Sequence, residues 1–403
     1  MATLATAVAG AAAGLVLLSA CGGSCTSSVH QASIPALAAG GSDGVEIDQA
    51  GHKLFFADRA TGGVDVVDLS AAPRFVGTIG LPAPANGLAF APNLKRLYAG
   101  LYGGTVAVID ADGTSPNYMK VIDSVTVDTA VADLLDFSPR TQSLYVGTGS
   151  SNAVVVVDAV TDTVTHRFDV KAAVEQPRFN PADGRIYVTA PTLDSLLQLD
   201  ASTGTVTRSY MQLGCRPSGL AINPGRQLAM VGCRSSIATF SLRTGLDEIS
   251  TSVAGGDIIT YDPRVDRFTV GSSHGPRDSS VGVYAGDGRF VAQVPSSPGA
   301  HGAVFDHASG AVYAVGVVGL LYFTPADCAP PPGWLIFAGG LAIYLAPIGA
   351  LAMLLILYAR RMSRRDPSER RPTRDELARE DLIATRERIR AIEDAIFGPE
   401  GSG

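Results

Sequence analysis

Between Asp43 and Asp327 the chain repeats one short theme seven times. The clearest copy is Pro177-Arg178-Phe179-Asn180-Pro181-Ala182-Asp183-Gly184-Arg185-Ile186-Tyr187-Val188, which reads as strand, tight turn, strand. Pro181 presets φ for a turn, Gly184 can take the left-handed conformation that closes it, and Ile186 to Val188 are β-formers. The copies start near Gly44, Gly87, Asp133, Gln176, Gly219, Asp257 and Gly302, spaced 43, 46, 43, 43, 38 and 45 residues apart.

Each start leads into a second strand, as at Leu54-Phe55-Phe56, Leu144-Tyr145-Val146 or Val312-Tyr313-Ala314. A third follows in Val64–Asp68, Val106–Asp110, Val154–Asp158 and Leu196–Asp200, and a fourth in Val121–Val127 and Val164–Val170. Four strands in about 40–45 residues make the blade of a β-propeller, so the expected fold is all-β with seven blades. The turn-rich composition agrees: Gly 45 and Pro 24, with 17% charged residues. The only Trp, Trp334, lies outside the repeats, which disfavours WD40 blades.

The pattern resembles the YVTN (YncE-like) propeller family. The stretches that carry the resemblance are Asn86-Gly87-Leu88-Ala89-Phe90-Ala91-Pro92, Ser218-Gly219-Leu220-Ala221-Ile222-Asn223-Pro224, Leu144-Tyr145-Val146-Gly147 and Val155–Val164. It implies a fold rather than an activity, because propellers host unrelated functions. Seven-bladed relatives include lactone hydrolases and quinone- or haem-dependent dehydrogenases, and their motifs are not evident here.

The seventh copy stops after its third strand. Val29–Pro35 precedes Gly44 much as Phe75–Leu81 precedes Gly87, so an N-terminal strand is expected to complete the last blade and close the ring. The five cysteines fit this closure. Cys25 and Cys328 stand at the two ends of the seam and are expected to bridge. Cys215 and Cys233 flank the hairpin at Pro224-Gly225 nearly opposite one another, and are expected to form a second disulfide. No CxxC occurs, which leaves a zinc or thioredoxin-like reading without support.

The ends of the chain speak to location. Residues 1–42 carry no Lys, Arg, Asp or Glu, and 1–21 read as a signal peptide. Leu18-Ser19-Ala20-Cys21 resembles the bacterial lipobox, which implies cleavage before Cys21 and acylation of its thiol. The propeller is assigned to 22–328 and a proline-rich linker to 329–333. Residues 334–358 are uncharged; at 1.5 Å per residue they span roughly 37 Å, enough for a bilayer core of about 30 Å. Six arginines between Arg360 and Arg371 follow, so the C-terminal side is expected in the cytoplasm and the propeller outside it. Ala338, Ala342, Ala346 and Ala350 form a small-residue row suited to self-association of the membrane helix. In the tail, 359–403, Thr373-Arg374-Asp375-Glu376 is a capping box before a helix expected over 374–397.

The start of each inner strand faces one mouth of the channel, where propellers ordinarily hold ligands. Asp43, Asn86, Glu175, Ser218 and His301 fall there in one register, and Asp133, Gln176 and Asp257 in the adjacent one, with Arg216 just before the fifth strand. Ligand-binding candidates are therefore Asp43, Asn86, Asp133, Glu175, Arg216, Asp257 and His301. Acidic members of the set could hold a cation through oxygen, though the sequence defines no metal site. Gly-x-Ser-x-Gly occurs at 40–44 and 271–275, but both fall in an all-β pattern with no helix to form a nucleophile elbow, and there is no CxxCH haem site, so no catalytic residue and no cofactor are assigned. A net charge of −7 argues against nucleic-acid binding. The expected role is a membrane-anchored extracytoplasmic module that binds or scaffolds an envelope protein or small molecule. The alternatives are a hydrolase or oxidoreductase using His301 with Asp43 or Asp257, and a structural subunit of an envelope complex.

Overall fold

In the computed structural model the described residues are 28–35, 42–149, 151–273, 279–325, 353–358, 360 and 373–397. The first strand, β1 (His30–Ala32), stands apart from the blade that follows it. Blade 1 is β2 (Val45–Asp48), β3 (Lys53–Asp58), β4 (Gly63–Asp68) and β5 (Arg74–Gly80); blade 2 is β6 (Ala85–Ala91), β7 (Arg96–Leu101), β8 (Thr105–Asp110) and β9 (Val121–Thr126). Blade 3 is β10 (Leu135–Ser138), β11 (Ser143–Thr148), β12 (Ala153–Asp158) and β13 (Thr163–Asp169); blade 4 is β14 (Pro177–Asn180), β15 (Arg185–Ala190), β16 (Ser195–Asp200) and β17 (Val206–Met211). Blade 5 is β18 (Leu220–Asn223), β19 (Leu228–Gly232), β20 (Ile237–Ser241) and β21 (Gly245–Ser250). Blade 6 is β22 (Ile258–Asp262), β23 (Arg267–Ser272), β24 (Ser280–Ala285) and β25 (Phe290–Pro295). Blade 7 has β26 (Ala303–Asp306), β27 (Ala311–Gly316) and β28 (Gly319–Phe323), and its fourth strand is β1, paired antiparallel with β28 through His30–Tyr322, Gln31–Leu321 and Ala32–Leu320. The fold is thus an all-β seven-bladed propeller, and the expected closing strand is present as a three-residue ladder.

Local chemistry explains the blade. The residue just before each second strand has positive φ: His52, Lys95, Gln142, Gly184, Gln227, Asp266 and Gly310. The backbone therefore imposes the left-handed residue at every inner hairpin, and only two of the seven copies use glycine for it. The aspartate ending each early third strand folds the next turn by accepting backbone N–H groups: Asp68 from Ser70, Asp110 from Asp112, Asp158 from Val160 and Thr161, Asp200 from Ser202 and Thr203. In six blades a register shift between the third and fourth strands adds twist at the same place.

The core is seven apolar seams, each between two neighbouring blades. Phe55, Leu97 and Ile109 belong to the seam of blades 1 and 2, Tyr187, Leu196 and Phe240 to that of blades 4 and 5. The last seam joins Leu54, Phe56 and Val67 of blade 1 to Tyr313, Val315 and Leu320 of blade 7, with Ala32 and Ile34 packed against it. No blade buries its faces alone; each needs both neighbours, and β1 seals the ring.

Cys215 and Cys233 are bonded, as their opposed positions on the hairpin predict. The signal peptide, Cys21, Cys25, Cys328 and the linker lie outside the described residues. So do 334–352 of the expected membrane helix, of which 353–358 are helical. Among the described residues no helix is long and apolar enough to cross a membrane. The tail forms a separate unit, whose helix α1 (Arg374–Phe397) covers the range expected for it. Its capping box is made: Thr373 N–H donates to Glu376, and Glu376 N–H to the Thr373 hydroxyl at 3.4 Å.

Candidate functional site

Inner and second strands are antiparallel, so the start of one and the end of the other reach the same mouth. Asp43, Asn86, Asp133, Glu175 and Asp257 line cavities there, joined by residues just past the second strands: Arg59, Tyr102, Gly149, Pro191, Arg234 and Ser273. Glycines let neighbouring blades approach closely enough to assemble the site. A Cβ on Gly87 or Gly100 would sit 2.6 Å from the Asp133 carbonyl oxygen, one on Gly147 2.4 Å from that of Glu175, and one on Gly219 2.8 Å from that of Asp257. The glycines of the repeat thereby place the backbone of the acidic residues. The same backbone is pinned within its own blade, Asp133 N–H to Gly147 O at 2.9 Å and Asp257 N–H to Gly271 O at 2.9 Å.

Two adjoining cavities of about 440 and 400 Å3 share Glu175 and Asp257. The first also holds Arg216, Ser218 and Arg234, the second Asp43, Arg59, Asn86 and Asp133. Arg59 pairs with Asp43 and donates to Asn86 Oδ1 at 3.3 Å, which ties blade 1 to blade 2. His301 contacts Asp257 through Nδ1 and lies 3.8 Å from Asp43 through Nε2, which links blades 6, 7 and 1. Burial raises the Glu175 carboxyl to about 7, with the charges of Asp133 and Asp257 adding to it. Burial likewise lifts Asp133 to about 6, helped by Asp257 and opposed by Arg59. By contrast, neither Arg216 nor Arg234 has a salt bridge within 4 Å among the described residues, although, after backbone N–H bonds, the charge of Arg216 helps hold the Asp194 carboxyl below its ordinary range. The disulfide joins the residues immediately before them, and Arg216 N–H donates to Asp194 Oδ1 at 2.8 Å.

The structure therefore brings all seven sequence-predicted residues to one mouth. Two others from the same reading behave differently. Ser218 is turned to the Gly256 carbonyl at 3.0 Å. Gln176 crosses the channel: its Oε1 accepts Leu220 N–H at 2.6 Å and Ile259 N–H at 3.4 Å, and it is 2% exposed. It is thereby held buried below the mouth, bonded to blades 5 and 6. Arg59, Tyr102 and Arg234 escaped the sequence reading, although the position after each second strand recurs with the repeat and marks them. Among the described residues no group of three or more His, Cys, Asp or Glu is arranged to hold a metal ion.

The sequence matches no family model, and no curated protein matches it. Among solved structures, Kuenenia stuttgartiensis hydrazine synthase is similar, with a TM-score of 0.61 and 14% identity over 74% of this chain and 98% of that one. At that identity the likeness supports the seven-bladed fold and nothing finer.

Proposed function

We propose that this chain is an exported, membrane-anchored propeller that binds an envelope small molecule or protein group of mixed charge at the Asp43–His301 mouth. The observation that carries this is the division of charge in the paired cavities: Arg216 and Arg234, neither in a salt bridge, share one with Glu175 and Asp257, and Asp133 lies in the next. A carboxylate or phosphate meets the guanidiniums there, while an ammonium group meets the carboxylates. The anchor, the cytoplasmic tail and the YVTN resemblance come from the sequence: an uncharged run over 334–358 followed by arginines, and the repeated Asn-Gly-Leu-Ala-Phe-Ala-Pro theme.

The alternative, acid–base chemistry at His301, has Asp257 on Nδ1 and Asp43 3.8 Å from Nε2, and a His301→Ala variant that keeps every measurable activity discards it. A purely structural subunit would not need two arginines without salt bridges in a cavity. The test places a photocrosslinking amino acid at Tyr102, 45% exposed on the rim, in intact cells. The expected result is a discrete adduct lost in Arg216→Ser/Arg234→Ser; an adduct indifferent to both changes refutes the site. Protease applied to spheroplasts is expected to digest the propeller, and protection of it refutes the orientation.

A further inference from the structure

The opposite mouth is built from other chemistry. Gln176 and Arg178 reach across the channel to blade 6 and separate the two ends: Gln176 Nε2 donates to Ile259 O at 3.4 Å and Arg178 Nη2 to the same carbonyl at 3.3 Å. Beyond them opens a funnel of about 820 Å3. One position per blade walls it: Phe90, Phe137, Phe179, Tyr261 and Phe305, with Ile47 and Ile222 in the remaining two. Pro92, Pro139, Pro181, Pro224 and Pro263, the turn prolines of the repeat, form its rim. The wall is one recurring position of the inner-strand theme, two residues before the turn proline in the five copies that have one, so symmetry makes a largely aromatic ring from a local pattern.

Three charged groups from different blades meet at its floor: Glu46 of β2, Asp136 of β10 and Arg178 of β14. Arg178 and Asp136 satisfy each other. Arg178 Nη1 lies 3.5 Å from Asp136 Oδ1 and donates to Leu135 O at 3.1 Å, while Asp136 Oδ2 accepts Phe179 N–H at 2.9 Å. Among the described residues no side chain hydrogen-bonds Glu46, which has only the Ile47 N–H and the more distant field of Arg178. A carboxyl left over at the floor of an aromatic funnel lacks one thing, a positive charge that need not be hydrated.

We infer that the funnel is a binding site for an organic cation, an ammonium group carrying apolar substituents, seated against Glu46 with its apolar part on the Phe90–Phe305 ring. Aromatic walls attract such cations, and a metal ion would find too few oxygen ligands there. The charged groups facing Glu46 are Asp136 and Arg178. Asp48, Asp262, Arg140, Arg264 and His307 stand at the strand ends and turns, where Asp262 is held by His307 Nδ1 at 3.2 Å and Asp48 by Gly51 N–H at 2.9 Å. Burial holds the Glu46 proton up to about 8, so an arriving cation displaces it, and affinity rises about tenfold per pH unit until it levels near that value.

The test is calorimetric titration of the full-length chain with benzyltrimethylammonium, with benzyl alcohol as the neutral comparison. Expected are saturable binding of the cation at least tenfold tighter than of the alcohol, and release of close to one proton at pH 7, read from buffers of different ionisation enthalpy. Glu46→Gln is expected to abolish both the proton release and the pH dependence, and Glu175→Gln at the other mouth to leave binding unchanged. Equal binding of the neutral compound, an unaltered titration in Glu46→Gln, loss in Glu175→Gln alone, or no saturable binding overturns the inference. Loss in Glu175→Gln alone would move the cation to the first mouth, whereas failure of the Tyr102 crosslink leaves the funnel result untouched, so the two readings fail separately.

Discussion

The Cys215–Cys233 bridge connects stability to the binding mouth, and removing it tests both. The two residues are 18 apart in sequence, and each sits beside an arginine of the first cavity. Closing a loop of that length in the unfolded chain removes entropy worth about 3 kcal/mol at 25 °C in the chain-entropy account. For a propeller of this size each kcal/mol moves Tm by about 2–4 °C, so Cys215→Ser/Cys233→Ser is expected to melt roughly 6–12 °C lower. Both cysteines are buried, at 4% and 3% exposure, and the new hydroxyls add to the loss. Thermal melts of wild type, both single variants and the double variant complete a cycle. Since either substitution breaks the bond, each single is expected to cost nearly as much as the double. Additive small losses, or a double variant melting within 1 °C of wild type, would show that the bridge does not restrain this hairpin. The crosslink from Tyr102 is expected to weaken in the same variants, because Arg216 and Arg234 lose their shared tether.

Deleting 29–35 removes β1 and the packing of Ala32 and Ile34 on the last seam. A loss on the order of 2–4 kcal/mol is expected in chemical melts, together with self-association through the bared β28 edge seen by light scattering. Gly147→Ala drives a Cβ to 2.4 Å from the Glu175 carbonyl and is expected to cost about 1–3 kcal/mol. Gly149→Ala meets nothing closer than 3.6 Å and serves as the control, within about 0.5 kcal/mol of wild type. Glu46 is protonated in the folded chain up to about 8 but in the unfolded chain only to its ordinary 4.5. Stability contributed by this group is therefore present at low pH and lost as pH climbs from 4.5 to 8, by on the order of 3–4 kcal/mol. Glu46→Gln is expected to melt like wild type at pH 4.5 and well above it at pH 8; parallel pH curves for the two proteins would sink this account.

Much of the architecture is legible in the chain because it is local and periodic. Strand lengths, the left-handed residue before each second strand, and the Asp68-to-Asp200 turns recur every 40-odd residues, and each copy reports the same geometry. Blade number, the strand that closes the ring and the Cys215–Cys233 pairing follow from that period. So does the membership of the first mouth, since every inner strand starts at the same end. What the period cannot say is which side chains meet on the axis. Asp257 and Asp43 flank His301, Gln176 turns aside to bond blades 5 and 6, and Glu46 finds Arg178 three blades away in sequence order. Those meetings depend on the radius of the ring and the tilt of its blades, set jointly by seven apolar seams and the glycines between them. Residues 44 to 258 positions apart, Asp257–His301 and Asp43–His301, come within 4 Å only once the ring is closed, so their partners, and the pKa shifts that follow, belong to the tertiary structure.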